Sequence, residues 1–245
     1  MEQRFVDKVV LITGSSSGIG RSAAEALDAE GAKVVVNSSS SVQAGEEVAK
    51  SLTDAIYVQG DVSDAEACAN LVDTTIDRYG RLDVLVNNAG TTQVIPHHDL
   101  DAVTDEIFRR IFEVNVLGTF RLTKLAMPHL RATGDGAVVN VTSLAGVRPT
   151  GSSVPYAVSK AALNHLTALL ANVTGPEVRI NAVAPGLVRT EWTKDWGPIH
   201  DAMKDRAPLQ RSAEAEDISQ VILDVAAAKY MSGQVVVVDG GTGLR

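Results

Sequence analysis

Short apolar runs alternate along the chain with longer stretches in which apolar residues recur at helical spacing. The runs are rich in β-branched residues and predict seven strands, over residues 9–12, 34–36, 56–58, 82–86, 137–141, 178–183 and 234–238. The longer stretches predict helices over residues 19–30, 44–52, 65–79, 103–130, 155–173 and 213–228. A loop-rich segment is expected between the sixth strand and the last helix.

The strand runs are mostly apolar throughout, which is typical of strands covered on both faces. Strands that alternate with helices predict right-handed βαβ crossovers and a parallel sheet. No linker or change of composition divides the chain. We therefore expect residues 1–245 to form a single doubly wound α/β domain, with a seven-stranded parallel sheet and helices on both faces.

Charge and cysteine content exclude several classes of protein. The net charge of −8 argues against a nucleic-acid or anionic-membrane partner, since both favour a basic face. The one cysteine, Cys68, allows no intrachain disulfide and no multi-cysteine metal site, and its helical context predicts a buried, inert thiol. No apolar run has the length of a membrane-spanning helix, and residues 1–8 lack a signal-peptide core, so a cytoplasmic location is expected.

A glycine-rich turn lies between the first strand and the first helix and reads Thr-Gly-Ser-Ser-Ser-Gly-Ile-Gly over residues 13–20. Gly14 permits a tight turn, Gly18 removes a side chain where backbone meets a pyrophosphate, and Gly20 lets helix and strand pack closely. The helix N-terminus favours phosphate through its dipole and its free N–H groups. The turn predicts a dinucleotide site formed by Gly14, Ser16, Ser17, Gly18, Ile19 and Gly20; a βα turn that binds nothing is the alternative.

The G-x-x-x-G-x-G spacing of this turn resembles the short-chain dehydrogenase/reductase family. Further motifs of that family follow in the same order: Asn-Asn-Ala-Gly at 87–90, Ser143, Tyr-Ala-Val-Ser-Lys at 156–160, Pro-Gly-Leu-Val-Arg-Thr at 185–190, and the segment 233–241. Together they cover almost the whole chain. The resemblance implies a Rossmann domain and hydride transfer between a nicotinamide dinucleotide and a carbonyl or alcohol carbon.

Tyr156 and Lys160 lie four residues apart in a predicted helix and therefore share one face. Ionising a free tyrosine, with a pKa of about 10, costs about 4 kcal/mol at pH 7, and a nearby ammonium reduces that cost. Ser143 ends the fifth strand, at the sheet edge where doubly wound folds bind ligands. The alternatives are a surface Tyr–Lys pair and a serine that caps a turn.

The resemblance implies a division of roles among four residues. Tyr156 is the general acid or base, Lys160 tunes it and binds the nicotinamide ribose, and Ser143 orients the substrate. Asn115, in the predicted long helix, supports a water-linked proton relay; a buried amide that bridges backbone groups is the compatible alternative. No metal is implied, since His97, His98 and Asp99 are adjacent in a loop and poorly placed for chelation.

The second strand ends in Asn37, Ser38 and Ser39 and carries no carboxylate to bind the adenosine ribose hydroxyls. Serines and backbone N–H groups can instead donate to a 2′-phosphate, so we expect NADP(H), with NAD(H) as the alternative. Ser17 occupies a position where many NADP-preferring relatives carry a basic residue, and Arg21 could compensate.

The resemblance places further residues around the cofactor. Asp61 and Val62 contact the adenine, although Asp61 could simply cap a helix, with Ser63 as the rival cap. The remaining expected cofactor-binding residues are Asn88, Ala89 and Gly90 near the adenosine ribose, and Pro185, Gly186, Val188 and Thr190 near the nicotinamide.

Residues 190–211 are expected to form a substrate lid, whose apolar wall comprises Trp192, Trp196, Met203 and Leu209. Packing against a neighbouring subunit is the alternative. Residues 147–154, His97 and the lid would shape the pocket.

The leading substrate is a 3-ketoacyl thioester, because that activity is widespread among similar chains, which include the 3-oxoacyl-(acyl-carrier-protein) reductases. Sugar, polyol or steroid dehydrogenases, and a nucleotide-binding regulator without turnover, are the alternatives. An acidic carrier protein would need a basic patch, which Arg121, Lys124 and Arg131 could form, or these could be a solvated face. The resemblance implies a homotetramer or homodimer.

Overall fold

The computed structural model describes residues 3–244; residues 1, 2 and 245 of the predicted domain lie outside the described residues. Its main sheet has seven parallel strands in the order β3-β2-β1-β4-β5-β6-β9. These strands are β1 (Val9–Ile12), β2 (Lys33–Ser38), β3 (Ala55–Gln59), β4 (Val84–Asn87), β5 (Gly136–Val141), β6 (Val178–Pro185) and β9 (Val235–Val238). The predicted doubly wound fold is confirmed, and its strand order reverses beside β1, between β1 and β4.

Helices cover both faces of this sheet, because successive strand residues point to opposite faces and both sets are apolar. Val10, Ile12, Val34 and Val36 lie in one buried cluster, while Val9, Leu11 and Val35 lie in the other. The helices are α1 (Gly18–Ala29), α2 (Val42–Ser51), α3 (Ala65–Tyr79), α4 (Asp105–Phe112), α5 (Thr119–Ala132), α6 (Val154–Thr174), α7 (Gly197–Arg206) and α8 (Ala215–Ala227). The first cluster includes residues of α1, α2 and α8, and the second includes residues of α3 and α5.

The predicted helix over 103–130 is interrupted by a π-helical turn, Glu113–Gly118, between α4 and α5. At Gly118 a Cβ atom would lie 2.7 Å from the Val62 carbonyl oxygen, so the helix approaches the loop after β3 too closely for a side chain there. A π turn inserts an extra residue and so rotates the side chains that follow it. The predicted long helix is thus present as α4, this turn and α5 without a break, and helical spacing alone does not reveal the insertion.

Three further local predictions need correction. The N-cap of α3 is Asp64, whose carboxylate accepts the backbone N–H groups of Glu66 and Ala67, so neither Asp61 nor Ser63 caps this helix. The loop-rich segment contains helix α7, which begins at Gly197 with a proline in its first turn. A short parallel pair, β7 (Val188–Arg189) and β8 (Ala213–Glu214), connects the two ends of that segment. The last helix therefore begins at Ala215 and not at residue 213 as predicted.

A buried carboxylate fixes the amino edge of the sheet. Asp83 is 1% exposed and accepts hydrogen bonds from the Val9 backbone N–H (3.0 Å), from Arg81 (2.6 and 2.8 Å) and from Lys8 (3.2 Å). Burial raises the pKa of this carboxyl, but the bonds from Arg81, Val9 and Lys8 outweigh that effect and hold the pKa below its ordinary value. Because Asp83 directly precedes β4, these bonds connect the starts of β1 and β4.

The substitution Asp83→Asn is expected to lower the free energy of unfolding by about 2 kcal/mol at neutral pH, because it removes charge-assisted hydrogen bonds. Since the folded pKa lies below the ordinary 3.8, this stabilisation is present above that value and is lost as the pH falls through the folded pKa. Urea denaturation from about pH 5 to about pH 2 should show the difference from wild type shrinking. Asp105→Asn is the control, since its pair with Arg109 is exposed and contributes below about 0.5 kcal/mol. Equal effects of both substitutions would contradict this account.

Candidate active site

One cavity of about 1140 Å³ lies at the carboxyl edge of the sheet. Its wall includes the glycine turn, the ends of β4 and β5, the start of α6 and residues 185–206. Doubly wound sheets bind their ligands at this edge, beside the point where the strand order reverses. The cavity is therefore the place to compare with the site residues predicted from the sequence.

The glycine turn is closely packed. Gly14 and Gly18 have φ angles of +63° and +53°, which side chains rarely adopt. A Cβ atom on Gly20 would lie 2.5 Å from the Gly14 carbonyl oxygen and from the Asn88 side-chain nitrogen. Helix α1 begins here, and within the described chain the side chain of its N-cap residue, Ser17, makes no capping hydrogen bond. The first-turn N–H groups at this wall of the cavity suit the pyrophosphate of a dinucleotide.

The end of β4 holds the turn in place. The Asn88 side chain donates to the carbonyl oxygens of Thr13 and Gly14, at 2.9 and 3.0 Å. In return, the Thr13 hydroxyl accepts the backbone N–H groups of Asn88 and Ala89. Sequence reasoning placed Asn88 and Ala89 beside the cofactor but did not find Thr13, whose hydroxyl joins the two motifs. Asn88, Ala89 and Gly90 all line the cavity.

The structure brings Ser143, Tyr156 and Lys160 together at one end of the cavity. Ser143 follows β5, and its hydroxyl accepts the Ala145 N–H (3.1 Å) and hydrogen-bonds the Tyr156 side chain. Tyr156 lies in the first turn of α6, where the N-cap Ser153 accepts its backbone N–H (3.4 Å). Lys160 follows one turn later, and its ammonium donates to the Val141 carbonyl oxygen (2.9 Å) and lies 5.7 Å from the Tyr156 ring centroid.

Burial shifts the pKa values of both ionisable groups. It raises the pKa of Tyr156, an effect that the hydrogen bond with Ser143 reduces but does not cancel. It also lowers the pKa of Lys160 to about 8. The sequence led us to expect an ammonium that favours the phenolate; in the structure, burial is the largest influence on the pKa of Tyr156 and raises it.

Asn115 is fully buried within the π-helical turn. Its side-chain oxygen accepts the Thr91 N–H (2.8 Å), and its side-chain nitrogen donates to the Thr91 carbonyl (3.0 Å) and to the Ser159 hydroxyl (3.0 Å). The amide thus bridges the segment after β4 to helix α6, as one of the two sequence interpretations expected. Ser159, a member of this bridge, was not identified from the sequence. The water-linked relay stays a prediction.

At the opposite end of the cavity, the side chains of Asn37 and Ser38 at the end of β2 are already hydrogen-bonded within the protein. Asn37 accepts the Gly14 N–H (3.3 Å) and donates to the carbonyl oxygens of Val58 and Gly60. The Ser38 hydroxyl lies 2.8 Å from the Tyr57 hydroxyl. Ser39 is exposed and lines the cavity. Of the predicted serines, Ser39 is therefore the one whose hydroxyl faces solvent at this wall.

An arginine that sequence reasoning missed also lines this end. Arg110, on α4, donates to Asp61 (3.1 Å) and to Ser63 (2.9 Å). Burial raises the pKa of Asp61, but its bonds from Ser63 and Arg110 hold it below the ordinary value. Arg21, the expected basic compensation, instead pairs with Glu25 at 2.7 Å. Only the three-dimensional position of α4 beside the loop after β3 reveals Arg110.

Residues within 190–206 line one wall of the cavity, whereas residues 207–211 of the predicted lid do not. The Trp192 ring packs edge-on to Tyr156, with ring centroids 6.4 Å apart, and its tip would lie 3.8 Å from a Cβ atom on Gly90. Trp196 and Met203 line the cavity as well. Leu209, also expected in the apolar wall, is 67% exposed, and its backbone N–H donates to the Gly240 carbonyl.

A buried histidine holds this wall together. The Nδ1 atom of His200 on α7 lies 2.8 Å from the Ser212 hydroxyl, and its Nε2 atom lies 3.1 Å from the Thr193 hydroxyl. Thr193 in turn donates to the Val188 carbonyl at 2.6 Å. Val188 and Thr190, predicted to contact the nicotinamide, line the cavity beside this network, as do Pro185 and Gly186.

In the predicted basic patch of Arg121, Lys124 and Arg131, the charge of Arg121 is already paired. Arg121 pairs with Glu113 at 2.5 Å and donates to the Ser63 carbonyl at 2.8 Å. Lys124 and Arg131 instead line a separate cleft of about 430 Å³ between α5 and α6. This removes one of the three residues from the proposed docking surface.

We searched the described residues for a metal-binding cluster and for a membrane-spanning helix. Within residues 3–244, no group of three or more histidine, cysteine or acidic side chains is arranged to hold a metal ion. Over the same residues, every helix is too short or too polar to span a bilayer.

The predicted buried thiol is confirmed. Cys68 is buried, and burial raises the pKa of its thiol to about 11.

The substitution Lys160→Met is expected to stabilise the fold by about 3 kcal/mol at neutral pH, because it removes a buried ammonium. The folded pKa of about 8 lies below the ordinary 10.5, so the wild type gains stability as the pH rises between these values and its deficit shrinks. Thermal and urea denaturation from about pH 7 to about pH 10.5 measure this difference. Lys50→Met, at an exposed lysine, should show no such trend. A difference in stability between wild type and Lys160→Met that does not change with pH would refute the lowered pKa of Lys160.

The comparisons with known proteins agree with this geometry. A family model described as "Enoyl-(Acyl carrier protein) reductase" matches residues 14–243. The "Granaticin polyketide synthase putative ketoacyl reductase 2" of Streptomyces violaceoruber is 53% identical over 96% of each chain. The meso-2,3-butanediol dehydrogenase of Serratia marcescens is 37% identical, over 97% of this chain and 95% of its own.

A solved structure gives the same result for the fold. The putative short-chain dehydrogenase/reductase from Burkholderia xenovorans superposes with a TM-score of 0.91 at 36% identity, over 97% of this chain and 98% of its own. The match extends through both ends of the described cavity, from the glycine turn to the Ser–Tyr–Lys set. The chain therefore belongs to the short-chain dehydrogenase/reductase family of NAD(P)-dependent oxidoreductases.

Proposed function

We propose that this protein reduces the ketone of a 3-ketoacyl thioester, with NADPH as the hydride donor. The observation that carries the proposal is the joint position of Ser143, Tyr156 and Lys160 in the cavity that the glycine turn also lines. The Tyr156 phenol can donate a proton to a carbonyl oxygen, and the relative that is named as a ketoacyl reductase supports this direction.

The residues divide the chemistry as follows. Bound NADPH supplies a hydride to the carbonyl carbon, and the protein must supply the matching proton and hold the oxygen. The Ser143 hydroxyl, already hydrogen-bonded to Tyr156, holds the substrate oxygen beside the phenol. Tyr156 transfers its proton to that oxygen, so hydride and proton together convert the ketone to an alcohol. Lys160 would hold the nicotinamide ribose and relay a proton from solvent that restores the Tyr156 phenol.

We assign the described wall residues to the two ends of the cofactor. Gly14, Gly18 and the start of α1 line the cavity and fit the pyrophosphate, while Gly20 lies behind them and allows the close packing of the turn. Asp61 and Val62 would border the adenine, and Val188 and Thr190 the carboxamide. Ser39 supports the preference for NADP(H), because a neutral hydroxyl at this wall tolerates a 2′-phosphate that a carboxylate would repel. Arg110 lines the same end of the cavity, where its guanidinium is paired with Asp61.

The substrate class rests on the Streptomyces relative, which is named as a ketoacyl reductase and is 53% identical. The butanediol dehydrogenase at 37% identity keeps a small polyol as the second candidate. The lid supports the thioester, since Trp192, Trp196 and Met203 offer apolar surface to an acyl chain. A regulator without turnover would have no need of the complete Ser–Tyr–Lys set.

We further propose a homotetramer or homodimer, a lid at residues 190–211 and a cytoplasmic location. Exposed apolar side chains on and around α5 and α6 support the assembly: Leu117, Phe120, Leu169 and Val173 are all more than 40% exposed. With Arg121 paired to Glu113, a carrier-protein partner has only Lys124 and Arg131 of the predicted patch to bind.

Replacing Tyr156 with phenylalanine is expected to lower kcat for an acetoacetyl thioester about a hundredfold to ten-thousandfold, because the proton donor is lost. NADPH consumption, followed by absorbance, measures the rate, and calorimetry should show NADPH binding retained. Tyr230→Phe is the matched control, since Tyr230 is fully exposed and should leave kcat unchanged. Activity that survives Tyr156→Phe would refute the assigned acid.

The cofactor preference has its own test. Ser39→Asp is expected to weaken NADPH binding about tenfold or more, because a carboxylate beside the 2′-phosphate is repelled. Binding of NADPH and NADH is measured by calorimetry on both proteins, and the effect on NADH should be small. Ser40→Asp, one residue further along and also exposed, should have the smaller effect on NADPH. A wild-type protein that binds NADH more tightly than NADPH would overturn the preference.

A further inference from the structure

His200 belongs to a closed ring of contacts in the wall of the cavity. It is 4% exposed, lies on helix α7, and places one ring nitrogen 2.8 Å from the Ser212 hydroxyl and the other 3.1 Å from the Thr193 hydroxyl. The Thr193 hydroxyl donates to the Val188 carbonyl oxygen at 2.6 Å. Val188 pairs with Ala213, the neighbour of Ser212 in the chain, so the ring closes through β7 and β8.

These contacts fix which nitrogen of His200 carries the proton. The Nε2 atom lies 3.3 Å from the Thr193 carbonyl oxygen as well as 3.1 Å from the Thr193 hydroxyl, and a carbonyl oxygen can only accept. Nε2 is therefore the donor. In the neutral imidazole, Nδ1 is then an acceptor, and it takes the hydroxyl proton of Ser212.

The Thr193 hydroxyl connects His200 to the residues of β7 and the position that follows it. Its proton goes to the Val188 carbonyl oxygen at 2.6 Å, which is closer than the Thr190 carbonyl oxygen at 3.4 Å. Its two lone pairs accept from the Thr190 backbone N–H (3.3 Å) and from His200. Thr190 in turn packs on the glycine turn, since a Cβ atom on Gly18 would lie 3.2 Å from its methyl group.

We propose that His200 is a positioning residue for the nicotinamide end of the cofactor. This inference rests on the proposed function, in which Val188 and Thr190 border the nicotinamide carboxamide. Both of these residues line the cavity and His200 does not, so His200 acts on the cofactor through Thr193. Without the Nε2 donor the Thr193 side chain is free to adopt other rotamers, and the groups that border the carboxamide lose the support that sets their position.

The test compares the complete cofactor with a fragment that lacks the nicotinamide. Calorimetry measures the binding of NADPH and of adenosine 2′,5′-bisphosphate to variants of His200. His200→Leu should weaken NADPH binding about fivefold or more, because one hydrogen bond behind the carboxamide is lost, and should change binding of the fragment less than about twofold. The kcat for an acetoacetyl thioester should fall as well, since a displaced nicotinamide is poorly aligned for hydride transfer.

Two conservative variants separate the contacts of the two ring nitrogens. His200→Gln keeps an N–H donor at the reach of Nε2 and should restore most of the NADPH affinity. His200→Asn keeps an acceptor at the reach of Nδ1 but no donor that reaches Thr193, so it should behave like His200→Leu. His98→Leu alters an exposed histidine outside the ring and should leave the binding of both ligands unchanged.

The outcomes separate this inference from the function beneath it. Equal weakening of NADPH and fragment binding would assign His200 a purely structural role, and unchanged NADPH binding would show that Thr193 holds its position unaided; both results overturn the inference while the ketoreductase remains. A wild-type protein that binds NADPH but does not reduce the thioester overturns the proposed substrate, while the binding data still decide this inference. A wild-type protein that binds NADPH no more tightly than the fragment overturns the placement of the nicotinamide and, with it, this inference.

Discussion

The site depends on the close contact between helix α1, the glycine turn and the end of β4. A side chain at Gly20 would collide with the Gly14 carbonyl oxygen and the Asn88 amide, so the absence of a Cβ atom is what lets these three elements meet. The Asn88 and Thr13 hydrogen bonds then hold the turn against the sheet. A wider spacing at this point would separate the glycine turn from the residues that follow β4. One packing constraint therefore fixes both this turn and the wall behind it.

Buried ionisable groups at the Ser–Tyr–Lys end of the cavity lower the stability of the fold. Lys160 places an ammonium in a buried position where a single protein acceptor, the Val141 carbonyl, is identified in the described chain. Tyr156 is also desolvated, with Ser143 as its polar neighbour. Both groups are held by α6, whose own start is fixed by the Ser153 cap. Such arrangements persist at active sites because the surrounding fold is stable enough to support them.

Sequence reasoning recovered the layers of the fold because each strand is apolar on both faces and each helix has a clear stop. It failed where geometry depends on tertiary contacts that leave no local pattern. The π-helical turn lies where Gly118 closely approaches Val62, and helix α7 starts among prolines and tryptophans that were interpreted as loop. The engagement of Arg121 with Glu113, and of Arg110 with Asp61, likewise depends on which helix faces lie beside the loop after β3. Local motifs identified the candidate catalytic residues, whereas their neighbours Thr13, Ser159 and Arg110 required coordinates.

The short β7–β8 pair has a consequence for how the wall over residues 190–212 can move. Val188 and Arg189 pair with Ala213 and Glu214, so the two ends of the segment stay together even if the part between them separates from the cavity. Opening then requires no rearrangement of the main sheet, and the entropy gained is that of a loop with fixed ends. The main internal restraint is polar, through His200 with Ser212 and Thr193, and few large apolar side chains of the segment are buried. We therefore expect local opening of this wall to cost less free energy than global unfolding of the domain.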